Sequence, residues 1–242
     1  MEQRDDTQIP HRLDVRALSC SYGRKDVVFE VDFHVRPGEV VALFGHNGAG
    51  KTTVIKNVLG AYTPTAGTVT YDGEDITSAS PRSNVQRGMA LIPSERFVFP
   101  DLSVHDNLLL GAAGAKDQEY LDQKFDEVYE LFPILEERSK QLAGTMSGGQ
   151  QRMVSLGLAM MSSPRLLLLD EPSLGLAPAI VEQIFGAVHD LADHGLSVLL
   201  LEQNVGQALK IADRSYVMRN GRIILEETTE QMLARESYWD LF

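Results

Sequence analysis

One short segment constrains this sequence more than any other: a glycine-rich loop placed between an apolar run and a helical pattern. The run Val40–Phe44 is continuously apolar, as in a strand buried on both faces of a parallel sheet. The loop Gly45–Thr52 reads GHNGAGKT, with two glycines flanking four residues and then Lys and Thr. Glycines let successive backbone N–H groups face one anion, and the helix N-terminus after them adds its positive dipole end. The segment therefore predicts a phosphate-binding loop.

The two residues that end this loop have different predicted tasks. The ammonium group of Lys51 can reach the β- and γ-phosphates of a nucleotide, and the hydroxyl of Thr52 can ligate Mg²⁺. His46 is interpreted as a residue that shapes the loop. The predicted nucleotide-binding set in this segment is Gly45, His46, Asn47, Gly48, Ala49, Gly50, Lys51, Thr52 and Thr53.

A second apolar run ends in two adjacent carboxylates. Leu166–Leu169 reads as a buried strand, and Asp170 and Glu171 follow it directly. Parallel sheets bind their ligands at the carboxyl ends of the strands, which is where these side chains would lie. Asp170 is predicted to hold Mg²⁺, and Glu171 to polarise the attacking water. The alternative is that the two carboxylates only form a solvated acidic turn. A phosphate loop upstream favours the catalytic interpretation over that alternative.

The order of the other elements predicts an α/β fold with a mainly parallel sheet. Strands are expected within 13–35 and at 40–44, 67–76, 90–93, 166–169, 198–201 and 216–225, and helices at 51–60, 150–161, 178–194 and from about 228. Asp72–Gly73 and Asn220–Gly221 are typical of two-residue hairpin turns, which predicts an antiparallel β subdomain beside the parallel core. The segment 95–155 is helical and charged, and is predicted to be an inserted helical subdomain. Residues 1–12 are predicted to be a flexible tail, and 13–242 one nucleotide-binding domain.

A third motif, Ser147–Gln150, begins a helix between the phosphate loop and the acidic strand. Ser147 and Gln150 match a capping box, so on its own the motif could be only a helix start. With the other two motifs, in this order, the chain resembles the ABC ATPase family over 13–227. Met146 replaces the leucine with which this signature usually begins. The resemblance implies an ABC-type P-loop NTPase that binds ATP with Mg²⁺ and hydrolyses it.

The resemblance also implies roles for further residues and partners. Tyr22 matches the aromatic ring that stacks on adenine, and the alternative is a turn tyrosine. Ser147 and Gly149 are implied to contact the γ-phosphate bound on another subunit, so a second ABC ATPase subunit would complete the site. The segment Glu171–Pro178 and the triplet Glu202–Asn204 resemble the ATPases of branched-chain amino-acid importers, which implies transmembrane permease subunits as partners. Neither the transported solute, which the ATPase does not touch, nor the choice between homodimer and heterodimer follows from the sequence.

Two positions depart from the family pattern. Where most members carry a glutamine that reaches Mg²⁺ or the lytic water, this chain has Ser94, so that either a water bridges the gap or Glu95 replaces the glutamine. Where many members have a histidine that contacts the γ-phosphate, this chain has Gln203. An amide donates one N–H but carries no charge, so its hydrogen bond should be weaker by about 1 kcal/mol. We expect hydrolysis to be slower or less dependent on pH than with a histidine.

The composition limits the remaining choices. A net charge of −12 argues against a broad nucleic-acid face and against direct binding to anionic lipid headgroups. No apolar run approaches the roughly 20 residues of a spanning helix, and the polar N-terminus matches no signal or transit peptide. We expect a cytoplasmic protein bound to the inner face of the membrane through protein partners. The alternatives are an importer of another polar solute such as urea, an exporter, a soluble non-transport ABC ATPase, and an unrelated phosphate-loop kinase.

Overall fold

A computed structural model describes residues 11–23, 25–95, 98–115, 117–238 and 241, without the side chain of Tyr22. The strands are β1 Leu13–Tyr22, β2 Lys25–Val35, β3 Val40–Phe44, β4 Ala66–Tyr71, β5 Glu74–Asp75, β6 Met89–Ile92, β7 Leu166–Asp170, β8 Ser197–Glu202, β9 Arg214–Arg219 and β10 Arg222–Thr228. The helices are α1 Lys51–Leu59, α2 Pro81–Gln86, α3 Val104–Gly111, α4 Gln118–Leu131, α5 Pro133–Glu137, α6 Gly148–Met160, α7 Pro178–Asp193, α8 Val205–Ala208 and α9 Thr229–Leu233, with a 3-10 turn at Ala143–Thr145. No helix within these residues is long and apolar enough to cross a membrane.

The strands form two sheets. The larger has the order β10-β9-β3-β8-β7-β6, in which β9 to β6 run parallel and β10 pairs antiparallel with β9. The smaller sheet is antiparallel, in the order β2-β1-β4-β5. The predicted α/β fold with a mainly parallel core and a separate antiparallel sheet is confirmed. The hairpins turn at Asp72–Gly73 and Asn220–Gly221, as the sequence predicted.

Apolar strands with both faces covered form the centre of the larger sheet. Every residue of β3, β7 and β8 is buried, and these are the three strands that lie side by side in the sheet. Runs of Leu and Val place apolar side chains on both faces of such a strand, so each face needs a covering layer. A parallel arrangement also brings the carboxyl ends of these strands, with the loops that follow them, to one edge of the sheet.

Among the described residues between β6 and β7, the regular secondary structure is helical apart from a single bridge between Ser103 and Leu142. Polar side chains cap its helices, because the first backbone N–H groups of a helix need acceptors from outside it. Ser103 accepts from the Asp106 N–H and Asp117 from the Tyr120 N–H. Apolar side chains of this segment share one buried cluster with those of the sheet. Its boundaries as a subdomain, at about 95 and 155, stay a prediction.

Candidate nucleotide site

The order of the strands determines which loops are neighbours at the carboxyl edge of the larger sheet. The phosphate loop follows β3, Gln203 follows β8, and Asp170 ends β7 with Glu171 after it. Since β8 lies between β3 and β7, Gln203 lies between the phosphate loop and the acidic pair. Ser94 follows β6 at the outer strand of the same edge.

The phosphate loop is folded against a distant hairpin. Gly50 has φ +110°, in the left-handed region that favours glycine, and a Cβ there would lie 2.8 Å from the Met218 side chain. The Ala49 carbonyl accepts from the Gly221 N–H at 2.9 Å, so the β9–β10 turn supports the loop from outside. That support is a contact between residues far apart in the sequence, and no local pattern in the sequence indicates it.

Lys51 lies at the centre of the site and is almost completely buried, with 4% of its side chain exposed. Its ammonium group donates to the Gly45 carbonyl at 2.6 Å and the His46 carbonyl at 3.4 Å. It also lies 3.1 Å from Oε1 of Glu171. The sequence-predicted lysine and base thus form an ion pair across the site, which keeps both side chains beside the phosphate loop.

Thr52 and Asp170 are brought together by the strand order. The Thr52 hydroxyl lies 3.2 Å from Oδ1 and 3.1 Å from Oδ2 of Asp170. Burial raises the pKa of the Asp170 carboxyl, and the negative charge of Glu171 raises it further. The Thr52 hydrogen bond and the positive charge of Lys51 lower it. A hydroxyl and a carboxylate are hard oxygen donors of the kind that Mg²⁺ prefers, so this pair fits the predicted metal-binding role.

Glu171 has an unusual backbone conformation for a residue with a Cβ. Its φ is +48°, and its N–H donates to the Leu201 carbonyl at 2.9 Å. Left-handed backbone at a non-glycine residue costs about 1–2 kcal/mol, so the surrounding contacts must hold it. The side chain is 13% exposed, and its Oε1 accepts from both Lys51 and the amide of Gln203.

Gln203 joins the two sides of this edge. Its Nε2 donates to Oδ1 of Asn47 at 2.6 Å and to Oε1 of Glu171 at 2.9 Å. An amide nitrogen has two N–H groups, so both are used. The sequence predicted Gln203 as a contact to the γ-phosphate and Asn47 as part of the nucleotide-binding set. It did not indicate that the two side chains bind each other.

Ser94 makes its described contacts through its backbone. The residue is half-buried, and no hydrogen bond among the described residues joins its hydroxyl to Thr52 or Asp170. Its carbonyl accepts from Nη2 of Arg152 at 3.1 Å, and the Pro93 carbonyl accepts from Nη1 at 2.7 Å. Glu95 is exposed. A metal contact by either residue stays a prediction, as does adenine stacking by Tyr22, whose side chain lies outside the description.

The third motif starts α6 as predicted. The Ser147 hydroxyl accepts from the Gln150 N–H at 3.3 Å, and Oε1 of Gln150 accepts from the Ser147 N–H at 3.1 Å, which confirms the capping box. Ser147 and Gly148 are exposed, whereas Gly149 is buried beside Ile180. No hydrogen bond between described residues connects this motif to the phosphate loop. The contact of Ser147 and Gly149 with a second subunit's nucleotide, which the resemblance implies, stays a prediction.

Comparison with known proteins decides the family. The ABC transporter family matches residues 28–174. The chain belongs to this family. Its activity is accordingly the binding and hydrolysis of ATP, as the phosphate loop, Asp170 and Glu171 predicted. The nucleotide-free ATP-binding cassette of an ABC transporter has the same fold, with a TM-score of 0.85 at 26% identity over 96% of this chain and 98% of that one.

This ABC ATPase is similar in sequence to three transport ATP-binding proteins over nearly their full length. The high-affinity branched-chain amino acid transport ATP-binding protein BraG of Pseudomonas aeruginosa is 43% identical over 93% of this chain and 96% of its own length. The probable branched-chain amino acid transport ATP-binding protein LivF of Archaeoglobus fulgidus is 35% identical over 91% and 94%. The lipopolysaccharide export system ATP-binding protein LptB of Haemophilus influenzae is 36% identical over 93% of both chains.

Proposed function

We propose that this ABC ATPase drives a membrane importer for branched-chain or related amino acids. The observation that carries the proposal is the 43% identity with BraG over nearly the full length of both chains. The site supports the energy-supplying step, because Lys51, Glu171 and Gln203 converge at the carboxyl edge of the sheet. In this proposal Glu171 polarises the attacking water, and Gln203 contacts the γ-phosphate.

We infer Mg²⁺ as the metal that accompanies ATP, held by Thr52 and Asp170. Their oxygens lie 3.1 to 3.2 Å apart, and one of the two side chains is a carboxylate. When bound between phosphate oxygens, the metal would offset negative charge during hydrolysis. Because burial raises the pKa of Asp170, protons compete with the metal for this carboxylate at a higher pH than for an exposed aspartate.

We further propose that two ATPase subunits complete each other's sites. Ser147 and Gly148 present the exposed start of a 13-residue helix, and an exposed helix N-terminus favours an anion. The signature of one subunit would contact the γ-phosphate held by the phosphate loop of the other. The second subunit is either an identical copy or a related ABC ATPase.

The permease subunits are proposed to dock in a groove between the sheet and the helical segment, which would hold the protein at the inner, cytoplasmic face of the membrane. The groove lies between α2, β6, α3 and α6 and has a volume of about 730 Å³. Val85 and Leu110 line it and are 48% and 47% exposed, and Ser94 follows β6 nearby. An apolar groove of this kind suits one helix of a membrane partner, which would insert its apolar face.

The experiment that tests the transport proposal is solute uptake in cells lacking this gene. Complementation with the wild-type chain should restore uptake of radiolabelled leucine, whereas Glu171→Gln should not, although it retains the phosphate loop. Restored uptake of urea alone would replace the amino-acid importer with an importer of another polar solute. A defect in lipopolysaccharide export with normal leucine uptake would favour the LptB-like alternative, and normal transport throughout would favour a soluble ABC ATPase.

A further inference from the structure

The structure contains a buried carboxylate, Glu202, at the nucleotide edge, to which neither the sequence motifs nor the proposed function assigns a task. Glu202 is the last residue of β8, and 2% of it is exposed. Its Oε1 accepts from the Ser173 N–H at 3.0 Å. Its Oε2 accepts from the Gln203 N–H at 3.1 Å and the Asn204 N–H at 3.4 Å. One side chain therefore joins the loop that follows Glu171 to the loop that carries Gln203.

A buried carboxylate requires a compensating charge, because removing an ion from water is costly. Arg152 provides it from α6, the helix that begins with the signature motif, and is also 2% exposed. Burial lowers the pKa of Arg152 to about 10, while the negative charges of Glu202 and Asp170 act to raise it. The guanidinium is therefore charged at neutral pH, and its positive charge acts on the carboxylates at the ends of β8 and β7 while its N–H groups donate to the Pro93 and Ser94 carbonyls.

The position of Glu202 in the sheet explains why its contacts matter for the site. β8 lies between β3 and β7, so the residue after Glu202 has the phosphate loop on one side and Glu171 on the other. The amide of Gln203 contacts both, at 2.6 Å to Asn47 and 2.9 Å to Glu171. A small rotation of the Gln203 backbone would remove at least one of these contacts. The carboxylate of Glu202 fixes that backbone through the N–H groups of Gln203 and Asn204.

We propose that Glu202 is a positioning residue for ATP hydrolysis: its carboxylate holds the Ser173 loop and the Gln203 backbone together, so that the Gln203 amide stays within reach of Glu171. The inference rests on the proposed roles of Glu171 and Gln203. Within the described residues, the hydrogen bonds of the Glu202 carboxylate go to the Ser173, Gln203 and Asn204 N–H groups and not to Lys51 or Glu171, so it acts through Gln203. The alternative hypothesis is that the Glu202 carboxylate only accepts hydrogen bonds from the loop N–H groups. Glu202 would then contribute to the stability of the fold and not to kcat.

The two hypotheses predict different effects of a substitution at Glu202 on kcat. In Glu202→Gln the side chain keeps its size but has one acceptor oxygen, so it can serve one loop and must turn an NH₂ group toward the other. If Glu202 positions Gln203, kcat falls about 10- to 100-fold, because the misplaced Gln203 amide no longer supports Glu171 in the transition state. KM for ATP then changes little, since the phosphate loop is unaltered.

Glu39 offers a matched control. Glu39 is also buried, with 8% of it exposed. Its carboxylate forms an ion pair with Arg214 and accepts from the Arg36 N–H at 2.7 Å. It precedes β3, at the opposite end of that strand from the phosphate loop. Glu39→Gln should therefore lower the melting temperature as Glu202→Gln does, but leave kcat unchanged. A loss of kcat in both variants would attribute the effect to stability and overturn the proposal.

The deciding experiment is a double-mutant cycle in steady-state ATP hydrolysis by the full chain with Mg-ATP. Glu202→Gln, Gln203→Ala and the double variant are compared with the wild type, with KM and kcat measured separately. If Glu202 acts through Gln203, the double variant is no slower than the slower single variant. Multiplied losses, an unchanged kcat in Glu202→Gln, or a raised KM at normal kcat would each overturn the proposal.

A second variant keeps the proposal testable if Glu202→Gln does not fold. Glu202→Asp retains the negative charge but is one methylene shorter, so it can no longer span both loops. Its kcat should fall as in Glu202→Gln, and combining it with Gln203→Ala should lower kcat no further. A wild-type kcat in Glu202→Asp would contradict the positioning role. A wild-type chain that binds but does not hydrolyse ATP would instead count against the ATPase function itself.

Discussion

The two halves of the nucleotide face are built in opposite ways. In the phosphate-loop half, defined by Gly45–Thr53 with Asp170 and Glu171, Lys51 and Asp170 are buried, and Lys51 pairs with Glu171 as Thr52 does with Asp170. In the signature half, defined by Met146–Gln150, Ser147 and Gly148 are exposed, and the side chains of Ser147 and Gln150 hydrogen-bond to the backbone at the start of the helix. We therefore expect the phosphate-loop half to bind ATP within a single chain, and the signature half to act only on a nucleotide held by another subunit. Substitutions should therefore separate nucleotide affinity from turnover.

The largest effect is expected from Lys51→Ala in the phosphate-loop half. The variant loses charge-assisted hydrogen bonds to the β- and γ-phosphates, so ATP affinity should fall about 100-fold, together with all hydrolysis. Equilibrium binding of a fluorescent ATP analogue measures this. Lys56→Ala on the same helix is the control, because Lys56 lies over the Tyr62 ring and outside the loop. Retained affinity in Lys51→Ala would mean that this half does not bind the nucleotide.

The next largest effect should arise in the signature half and leave affinity unchanged. A Cβ added to Gly148 meets only Leu176, at 3.8 Å, so Gly148→Ala should fold normally. In a two-subunit site the new methyl group would lie where the phosphate of the other subunit approaches, and kcat should fall about 10- to 100-fold. Gly114→Ala, where an added Cβ meets nothing within 4 Å, serves as the control. Normal turnover in Gly148→Ala would remove the second subunit from the mechanism.

A third comparison tests the support of the phosphate loop from outside. Gly73 and Gly221 both have φ +78° in two-residue hairpin turns, but an added Cβ meets nothing at Gly73 and lies 2.2 Å from the Val27 carbonyl at Gly221. Gly73→Ala should cost about 1 kcal/mol of unfolding free energy from backbone strain alone. Gly221→Ala should cost about 3 kcal/mol, because the clash adds to that strain.

The readout that distinguishes support from stability is ATP affinity. Gly221 donates to the Ala49 carbonyl, so Gly221→Ala should weaken ATP binding by about fivefold, while Gly73→Ala should leave it unchanged. Urea unfolding and nucleotide binding on the same samples measure both quantities. Equal affinities in the two variants would show that the phosphate loop holds its shape without the hairpin.

Local patterns predicted most of the phosphate-loop half, because its parts are defined by neighbours in the sequence. An apolar run, a glycine-rich loop and a carboxylate pair after a second apolar run each have a short-range signature. The capping box of Ser147 and Gln150 was predicted for the same reason, since both partners lie within one helical turn. The parallel core followed from the alternation of strands and helices.

The contacts that organise the site were not predicted, because they join distant residues. Gln203 contacts Asn47 only because β8 lies between β3 and β7, and the sequence does not state that order. Arg152 is a charged residue in a helix, a pattern typical of an exposed face, but it is buried against carbonyls 58 and 59 residues earlier in the chain. Strand order and burial of charge are properties of the assembled fold, so they were accessible only from the structure.

The smallest effect on kcat is expected from Gln203→His. A protonated imidazole can donate from both ring nitrogens and adds a positive charge beside the γ-phosphate, whereas the neutral ring has a single N–H. With a histidine pKa of about 6.5, kcat of the variant should exceed that of the wild type by about fivefold near pH 6 and decline as pH rises toward 8. The amide of Gln203 does not titrate, so in the wild type this residue causes no fall in kcat between pH 6 and pH 8.

The pH profile of kcat, measured at saturating Mg-ATP, checks this prediction. Gln183→His places a histidine on the exposed face of α7 and should leave the profile unchanged. If Gln203→His matches the wild type in rate and profile, then Gln203 does not contact the phosphate. Its bonds to Asn47 and Glu171 would then only position the base.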